Sequence, residues 1–308
     1  MARCTVILST QRSGTTFLEG CLSSTEMLGY FKEHFTRFVR LPGLDTRYDT
    51  SPHGFLQCLR NARDASGNAG FTLMASYLPA VAADYYAEPA RTEAESQHAI
   101  SVRFLRDLFD GFDDAGIIVL RRNAMQQGIS AYFSVRTGYL HNYVEGRIER
   151  REGKTHNTHE EVLEVLDPAD VVRIAKTRLV ENDFVDAVGE AVGVPMVRTT
   201  YDRVTSDPGS LPMLLAELGV ENAADAKITV RNEKVVPNQM AEQAAEKVAD
   251  YLQVPDWDWD SLEESAASFV LPQEDEMVVT PREQALEAEL NRVFRYPWKY
   301  ATRFVRRS

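Results

Sequence analysis

The stretch that decides the fold is CTVILSTQRSGTT at residues 4–16. Residues 4–9 form a short apolar, β-branched run, which predicts a buried strand. Residues 14–24 predict a helix, with apolar side chains on one face at Phe17, Leu18, Cys21 and Leu22. A strand that leads through a polar, glycine-containing loop directly into a helix is the first half of a βαβ unit.

The same alternation of strand and helix recurs along the chain. The further predicted strands are 71–74, 116–120 and 195–200, and the further predicted helices are about 124–135, 168–192 and about 208–218. Strands that alternate with helices indicate parallel pairing. We therefore predict an α/β fold with three α/β/α layers around a mainly parallel, doubly wound sheet.

The chain is predicted to form a single domain over residues 1–308, because it has no internal repeat and no Gly/Ser linker. Two polar segments without helical or strand periodicity, at about 137–166 and about 255–280, are predicted to be insertions. Residues from about 292 to 308 form a C-terminal tail that is rich in basic and aromatic side chains.

Composition excludes several classes of protein. With 44% hydrophobic and 26% charged residues, the sequence is typical of globular proteins. Its 34 Lys and Arg against 46 Asp and Glu give a net charge of −12, which argues against a general nucleic-acid binder. Three cysteines are too few for a disulfide framework, and we find no signal peptide and no apolar run of membrane-spanning length. We expect a soluble, cytoplasmic protein.

The loop between the first strand and its helix is typical of an anion-binding site, because a helix N-terminus offers backbone N–H groups and the positive end of its dipole. Compared with the nucleotide-binding pattern G-x-x-x-x-G-K-[ST], Gly14 and Thr16 match. Ser9 stands in place of the first glycine and Thr15 in place of the lysine, and the cation is Arg12 instead. A polar turn without a ligand is the alternative interpretation.

The predicted strand at residues 116–120 bears on whether the loop works with a metal. Kinases and NTPases use an acidic residue to hold Mg²⁺ against a triphosphate. This strand ends instead in Arg121 and Arg122, with no Asp in it or just after it. We therefore predict an anion site without a metal. An activated sulfate ester fits such a site, since a sulfuryl group carries less charge than a phosphoryl group.

Arg122 and Ser130 are a second group of candidate residues, located at the end of the strand 116–120 and on the following helix. A planar guanidinium and a hydroxyl suit a phosphate monoester. Taken alone, the pair is better explained as a surface arginine that caps a strand and a serine on a helix face.

Together these motifs resemble those of a known family. QRSGTT at residues 11–16 resembles the 5′-phosphosulfate loop of sulfotransferases that use 3′-phosphoadenosine 5′-phosphosulfate (PAPS). Arg122 and Ser130 resemble their 3′-phosphate motif, with the same spacing, and residues 197–219 are similar to a later strand–helix unit. The loop, the triplet at residues 33–35 and the long helix 168–192 look like those of the bacterial trehalose-type carbohydrate sulfotransferases. The resemblance covers about residues 4–35, 115–136 and 168–219.

The resemblance implies a P-loop-like fold, a set of site residues and a metal-independent reaction. The residues that it implies for holding PAPS are Gln11, Arg12, Ser13, Gly14, Thr15 and Thr16 at the 5′ end and Arg122 and Ser130 at the 3′-phosphate. Glu33 would be the base that accepts the proton of the attacking hydroxyl. His34 and His53 are weaker candidates for that role. Arg12 would also stabilise charge on the leaving phosphate.

These observations predict a sulfotransferase that moves a sulfuryl group from PAPS to a hydroxyl of a carbohydrate or glycolipid. Two alternatives stay open: a Mg²⁺-dependent kinase with a degenerate Walker loop, and a non-catalytic relative that binds a nucleotide or glycan. The C-terminal tail suits contact with an anionic membrane, although packing of its aromatics on the domain is preferred. We expect no nucleic-acid partner and no transmembrane segment, and a homodimer is implied only by the resemblance.

Overall fold

The computed structural model describes residues 2–37, 51–87, 94–143, 148–150, 157–207, 209–229, 232–233 and 236–271. These residues form two compact units. The described part of the first unit lies within Met1–Arg121 and Asn182–Thr229, and that of the second lies within Arg122–Glu181 and Val230–Glu287. The single domain expected from the sequence stays a prediction.

The regular elements alternate between strand and helix for much of the chain. The strands are β1 (Arg3–Ser9), β2 (Ala69–Met74), β3 (Asp114–Arg121), β4 (Tyr139–Tyr143), β5 (Ile148–Arg150), β6 (Met196–Thr200) and β7 (Asn232–Glu233). The helices are α1 (Thr15–Ser24), α2 (Pro52–Ala62), α3 (Leu78–Tyr85), α4 (Ala94–Phe109), α5 (Ala124–Thr137), α6 (His159–Glu164), α7 (Pro168–Val192), α8 (Tyr201–Ser206), α9 (Ser210–Glu217), α10 (Asn238–Leu252) and α11 (Trp259–Ser268). Two 3₁₀ helices cover His34–Arg37 and Ala223–Asp225.

The first unit contains a four-stranded parallel sheet in the order β2-β1-β3-β6. Every residue of β1 is buried, and alternate side chains point to opposite faces of the sheet. Leu8 packs in a cluster with Phe104 of α4, whereas Ile7 packs in a second cluster with Leu18 of α1. Helices therefore cover both faces of the sheet, and the predicted three-layer α/β fold is confirmed.

The second unit is mainly helical. Helix α5 packs against α6, α10 and α11, and α10 also packs against α6 and α11. A small antiparallel sheet in the order β5-β4-β7 belongs to the same unit. Close packing is visible at Gly128 of α5, where an added Cβ would lie 2.9 Å from the Val171 carbonyl oxygen of α7.

The structure differs from the sequence-based expectation in the two predicted insertions. The segment 137–166 contains β4, β5 and α6, although strands of five and three residues are too short to give a recognisable alternation. The segment 255–280 contains α11, whose start is fixed by a capping box between Asp258 and Ser261. The C-terminal tail from about 292 lies outside the described residues.

Candidate active site

The predicted anion-binding loop leaves the carboxyl end of β1, which lies between β2 and β3 in the sheet. Arg12 and Gly14 both adopt left-handed backbone conformations, with φ of 65° and 94°. Gly14 is the N-cap of α1, and its carbonyl accepts hydrogen bonds from the N–H groups of Phe17 at 3.0 Å and Leu18 at 3.2 Å. The first turn of α1 contains no acidic residue and the helix has no side-chain cap. Its dipole therefore favours an external anion.

Buried hydroxyl groups hold this loop in shape through hydrogen bonds. Ser9, Thr10 and Ser13 are fully buried. The Ser9 hydroxyl donates to the Leu120 carbonyl of β3 at 2.7 Å, and the Ser13 hydroxyl donates to the Thr10 carbonyl at 2.8 Å. The Thr10 hydroxyl donates to Oδ1 of Asn182 on α7 at 3.3 Å. Ser9 thus ties the loop to the neighbouring strand, at the position where the nucleotide-binding pattern has its first glycine.

The remaining loop residues differ in exposure. Thr15, the first residue of α1, is buried, whereas Gln11, Arg12 and Thr16 are partly exposed. These partly exposed side chains include the cation of the loop, Arg12. The side chains of the loop that can reach a ligand are therefore of the kind that binds phosphate and sulfate oxygens.

Tyr201, the first residue of α8, packs its ring against the loop. A Cβ added at Gly14 would lie 2.1 Å from Cδ2 and 2.6 Å from Cε2 of this ring. The Tyr201 side chain is buried at that position. Position 14 therefore requires glycine for two reasons, the positive φ and the contact with Tyr201.

Glu33 lies in a segment that is hydrogen-bonded to β2, the strand that pairs with β1. The Thr72 N–H of β2 donates to the Lys32 carbonyl at 3.0 Å. The ring of Phe31 packs on Gly70, where an added Cβ would lie 2.7 Å from the ring. These contacts fix the backbone of the segment that carries Glu33.

Two further ionisable side chains interact with Glu33: Tyr77, the residue before α3, through a hydrogen bond, and Glu19 of α1 through its charge. The Tyr77 hydroxyl donates to the Thr72 carbonyl at 3.0 Å. Burial raises the pKa of Glu33 to about 7, and a hydrogen bond with Tyr77 opposes that rise. Burial, reinforced by the charge of Glu33, raises the pKa of Glu19 to about 8. The structure thus holds two carboxyl groups that titrate near neutrality.

Of the two histidines named as weaker candidates for the base, His34 directly follows Glu33, and its ring packs on Phe71 with the ring centroids 6.0 Å apart. Nε2 of His34 is 2.8 Å from the Tyr30 carbonyl oxygen, so Nε2 carries the proton of this hydrogen bond. His53 lies on α2 with an exposed side chain. Of the three predicted candidates, Glu33 has the raised pKa expected of a base that works near neutrality.

Arg122 and Ser130 belong to the second unit. Nε of Arg122 donates to Oε1 of Gln126 at 3.1 Å, which places the guanidinium at the start of α5. Ser130 is buried on α5. Between them, Asn123 caps the helix by accepting from the N–H groups of residues 125 and 126 at 3.0 and 3.2 Å. The N–H of residue 124 donates to the carboxylate of Glu263 on α11.

Three residues of the site were not predicted from the sequence: Glu19, Tyr77 and Tyr201. Glu19 carried a usable signal, since it is the one acidic residue in the predicted helix 14–24. Tyr77 and Tyr201 follow the ends of β2 and β6, where parallel sheets gather ligand-binding residues. Their proximity to Glu33 and Gly14 depends on strand order, which the sequence does not provide.

Comparison with known proteins identifies the class to which this fold and site belong. The model of the sulfotransferase family matches residues 5–194, which is more than half of the chain. The chain therefore belongs to the sulfotransferase family. The matched part contains the loop, Glu33, Arg122 and Ser130, and family membership supports transfer of a sulfuryl group in general.

Among solved structures, the chain is similar to one titled "Sulfotransferase Domain from the Curacin Biosynthetic Pathway". The two are 12% identical with a TM-score of 0.39, over 88% of this chain and 99% of that one. No curated protein matches the chain.

Two general features complete the description. Within the described part of the chain, no helix has the length and apolar character needed to cross a membrane. Across the same residues, no group of three or more His, Cys, Asp or Glu side chains is arranged to hold a metal ion.

Proposed function

We propose that this protein transfers a sulfuryl group from PAPS to a hydroxyl of a carbohydrate or glycolipid. The observation that carries the proposal is the loop after β1. In this loop, Arg12 and Gly14 both adopt the left-handed backbone conformation. The loop ends at the N-terminus of α1, which has neither an acidic residue in its first turn nor a side-chain cap. Such a terminus, with a guanidinium beside it, suits the 5′-phosphosulfate of PAPS.

The residues that would hold the donor are those that the resemblance assigned. Gln11, Arg12, Gly14 and the first residues of α1 would hold the 5′ end, while Ser13 shapes the loop through its buried hydroxyl. Arg122 and Ser130 are proposed to hold the 3′-phosphate. When bound, PAPS supplies the sulfuryl group and a phosphate leaving group.

Two residues would act on the reacting atoms. Glu33 would accept the proton of the acceptor hydroxyl while the hydroxyl oxygen forms its bond to sulfur. Arg12 would stabilise the charge that remains on the phosphate when the bond between sulfur and the bridging oxygen breaks. Since Glu33 has a pKa of about 7, it is protonated and inactive as a base at lower pH. The rate should therefore increase as the pH rises through about 7.

The donor is tested by thermal unfolding in EDTA with 3′-phosphoadenosine 5′-phosphate, ADP or ATP. A ligand that binds the folded state stabilises it, by about 2.7 kcal/mol at a hundredfold excess over its dissociation constant. We expect a shift with the 3′-phosphorylated nucleotide that exceeds those with ADP and ATP. No shift with it, together with a shift from ATP and Mg²⁺, would contradict the proposal and favour the kinase alternative.

The reaction is tested by release of 3′-phosphoadenosine 5′-phosphate from PAPS in the presence of a panel of sugars and glycolipids. Glu33→Gln should lower acceptor-dependent turnover at least about a hundredfold, as expected for loss of a general base, and leave the nucleotide-induced shift unchanged. Glu217→Gln, an exposed position on α9, is the matched control and should keep wild-type turnover. Nucleotide binding without release for any acceptor would favour the non-catalytic alternative.

A further inference from the structure

We propose that Asn182 of α7 is a positioning residue for the anion-binding loop. Its side-chain amide holds Thr10, and through Thr10 it keeps the loop around Arg12 and Gly14 in the shape that binds a sulfate or phosphate group. Asn182 therefore acts through another residue and not on the reacting atoms. The inference rests on the proposed function for the identity of the ligand, PAPS, whereas the contact with Thr10 belongs to the ligand-free protein.

The first support is a contact between two side chains that are far apart in the sequence. The Thr10 hydroxyl donates to Oδ1 of Asn182 at 3.3 Å, and the two residues are 172 positions apart. Thr10 is fully buried and Asn182 is 6% exposed. A buried polar group that loses its hydrogen-bond partner costs about 1–3 kcal/mol, so such a contact is not given up easily. It fixes the first residue after β1 against α7.

The second support is the type of residue at position 182. This position lies in the interior of α7, where asparagine is less favourable for a helix than alanine by up to about 0.7 kcal/mol. The next buried positions along the helix, Val185 and Val188, carry apolar side chains. A buried amide among them is unfavourable unless it is hydrogen-bonded. Thr10 supplies that hydrogen bond, so the loop accounts for an asparagine that the helix itself does not favour.

The third support is that this part of α7 is itself fixed to the parallel sheet. Asp186 lies one turn after Asn182 on the same helix. Its carboxylate forms an ion pair with Arg121 at the end of β3. The same carboxylate accepts a hydrogen bond from Nε of Arg198 on β6 at 2.9 Å. Two neighbouring strands therefore hold the helix in place, and Asn182 can transmit that position to the loop.

The loop needs such a support because part of its backbone is strained. Arg12 has φ of 65°, and a residue other than glycine in the left-handed region costs about 1–3 kcal/mol. Contacts around the loop must offset this cost if the loop is to keep its shape without a ligand. Ser9 supplies one anchor, to the Leu120 carbonyl of β3 at 2.7 Å, and Asn182 supplies another, on α7. A loop that is already ordered loses less conformational freedom when a ligand binds.

The inference is tested first on the ligand-free protein, by ¹⁵N relaxation of the backbone amides of residues 11–14. In the wild type we expect order parameters of about 0.85, as in a rigid backbone, and in Asn182→Ala a fall to about 0.6 or below. Thr10→Val removes the hydroxyl and should give the same fall, whereas Thr10→Ser keeps the hydroxyl and should retain the order. Thr177→Ala is the matched control on α7, because the Thr177 hydroxyl donates within the helix to the Arg173 carbonyl at 3.1 Å.

The second test is a double-mutant cycle on the affinity for 3′-phosphoadenosine 5′-phosphate, measured by calorimetric titration. Asn182→Ala and Thr10→Val should each weaken binding about 3- to 10-fold, the range expected for one neutral hydrogen bond. The double variant should bind about as weakly as either single variant, because the two changes remove the same contact. KM for PAPS should rise by a similar factor while kcat stays within about twofold, since the loop binds the donor equally in the ground state and the transition state.

Several outcomes would overturn the inference. Unchanged order parameters in both Asn182→Ala and Thr10→Val would show that the loop keeps its shape without the contact, and a wild-type loop that is already flexible would show that nothing holds it. Losses of affinity that multiply in the double variant would show that the two side chains act separately. An equal fall of the order parameters in Thr177→Ala would assign the effect to α7 as a whole.

Two further results keep the inference separate from other failures. If Asn182→Ala does not fold, the comparison of Thr10→Val with Thr10→Ser decides whether the hydroxyl that contacts Asn182 orders the loop. If the wild type binds neither 3′-phosphoadenosine 5′-phosphate nor PAPS, the proposed function is wrong. The order parameters of the ligand-free protein would still decide whether Asn182 positions the loop.

Discussion

Helices α1 and α5 each follow a strand of the parallel sheet in sequence. Their N-termini differ in whether side chains of the protein cap the first backbone N–H groups. At α1, the N-cap is a left-handed glycine without a side-chain cap, and the first turn is free of acidic residues. At α5, Asn123 caps two N–H groups and the carboxylate of Glu263 accepts from a third. The N-terminus of α5 is capped by side chains of the protein itself, whereas that of α1 has no side-chain cap.

The difference supports the proposal that the N-terminus of α1 binds an anion. A helix dipole attracts negative charge, and Glu263 already supplies it at α5. Any phosphate bound near Arg122 and Ser130 would therefore depend on their side chains and less on the dipole. At α1, the dipole and the backbone could act together with Arg12, which lies in the same loop. The two termini should accordingly respond differently to substitution.

The largest expected effect is that of Gly14→Ala. The methyl group would meet the Tyr201 ring at 2.1 Å and force a non-glycine residue into φ of 94°. We expect the loop to lose its shape and the affinity for 3′-phosphoadenosine 5′-phosphate to fall at least about a hundredfold, by calorimetric titration. Gly193→Ala is the matched control, since Gly193 has φ of 85° with no atom within 4 Å of an added Cβ. It should lose about 1 kcal/mol of stability and keep its affinity. Equal affinity losses would show that the loop is not the anion site.

A smaller effect is expected for Arg122→Ala. Loss of a charge-assisted hydrogen bond of about 1.5–3 kcal/mol should weaken 3′-phosphoadenosine 5′-phosphate roughly 10- to 100-fold. Adenosine 5′-phosphate, which lacks the 3′-phosphate, should bind as in the wild type. Arg173→Ala removes an arginine that pairs within α7 with Asp170 at 2.5 Å, and it should change neither affinity. Equal weakening of both nucleotides by Arg122→Ala would exclude Arg122 from the 3′ site.

The smallest effect concerns stability alone. Asn123→Ala removes a helix cap and the hydrogen bond from Nδ2 to the Trp259 carbonyl at 2.8 Å. Thr158→Ala removes the comparable cap of α6. We expect chemical unfolding to give a loss of about 2 kcal/mol for the first and about 1 kcal/mol for the second. An equal or smaller loss for Asn123→Ala would mean that the N-terminus of α5 is less firmly closed than its contacts indicate.

Much of the fold could be predicted from local patterns. Apolar runs in the sequence predicted β1, β3 and β6, and a helical periodicity predicted α7. Helix α7 covers 168–192, as expected. Helices α2, α4 and α10 were not predicted, although α4 has a clear apolar stripe that includes Phe104 and Leu108. β4 and β5 were not predicted, because strands of five and three residues are too short to give a recognisable alternation.

The site could be predicted only where its residues are consecutive. The loop motif lies within one strand–helix junction, so the sequence alone places Arg12 beside Gly14. Glu33 was identified by resemblance, since a single acid among 46 has no local signature. Glu19 and Tyr77 reach Glu33 only because β2 pairs with β1, and that neighbour relation is a property of the sheet.

The contact between Tyr201 and Gly14 also bears on how the protein can evolve. The side chain at position 201 occupies the space that any larger residue at position 14 would need. A smaller residue at position 201 would open that space, but the positive φ at position 14 would remain. The change at 201 alone would therefore not allow a residue other than glycine at position 14. The stability effects of substitutions at the two positions are therefore expected to be non-additive. An aromatic ring at position 201 is compatible only with glycine at position 14.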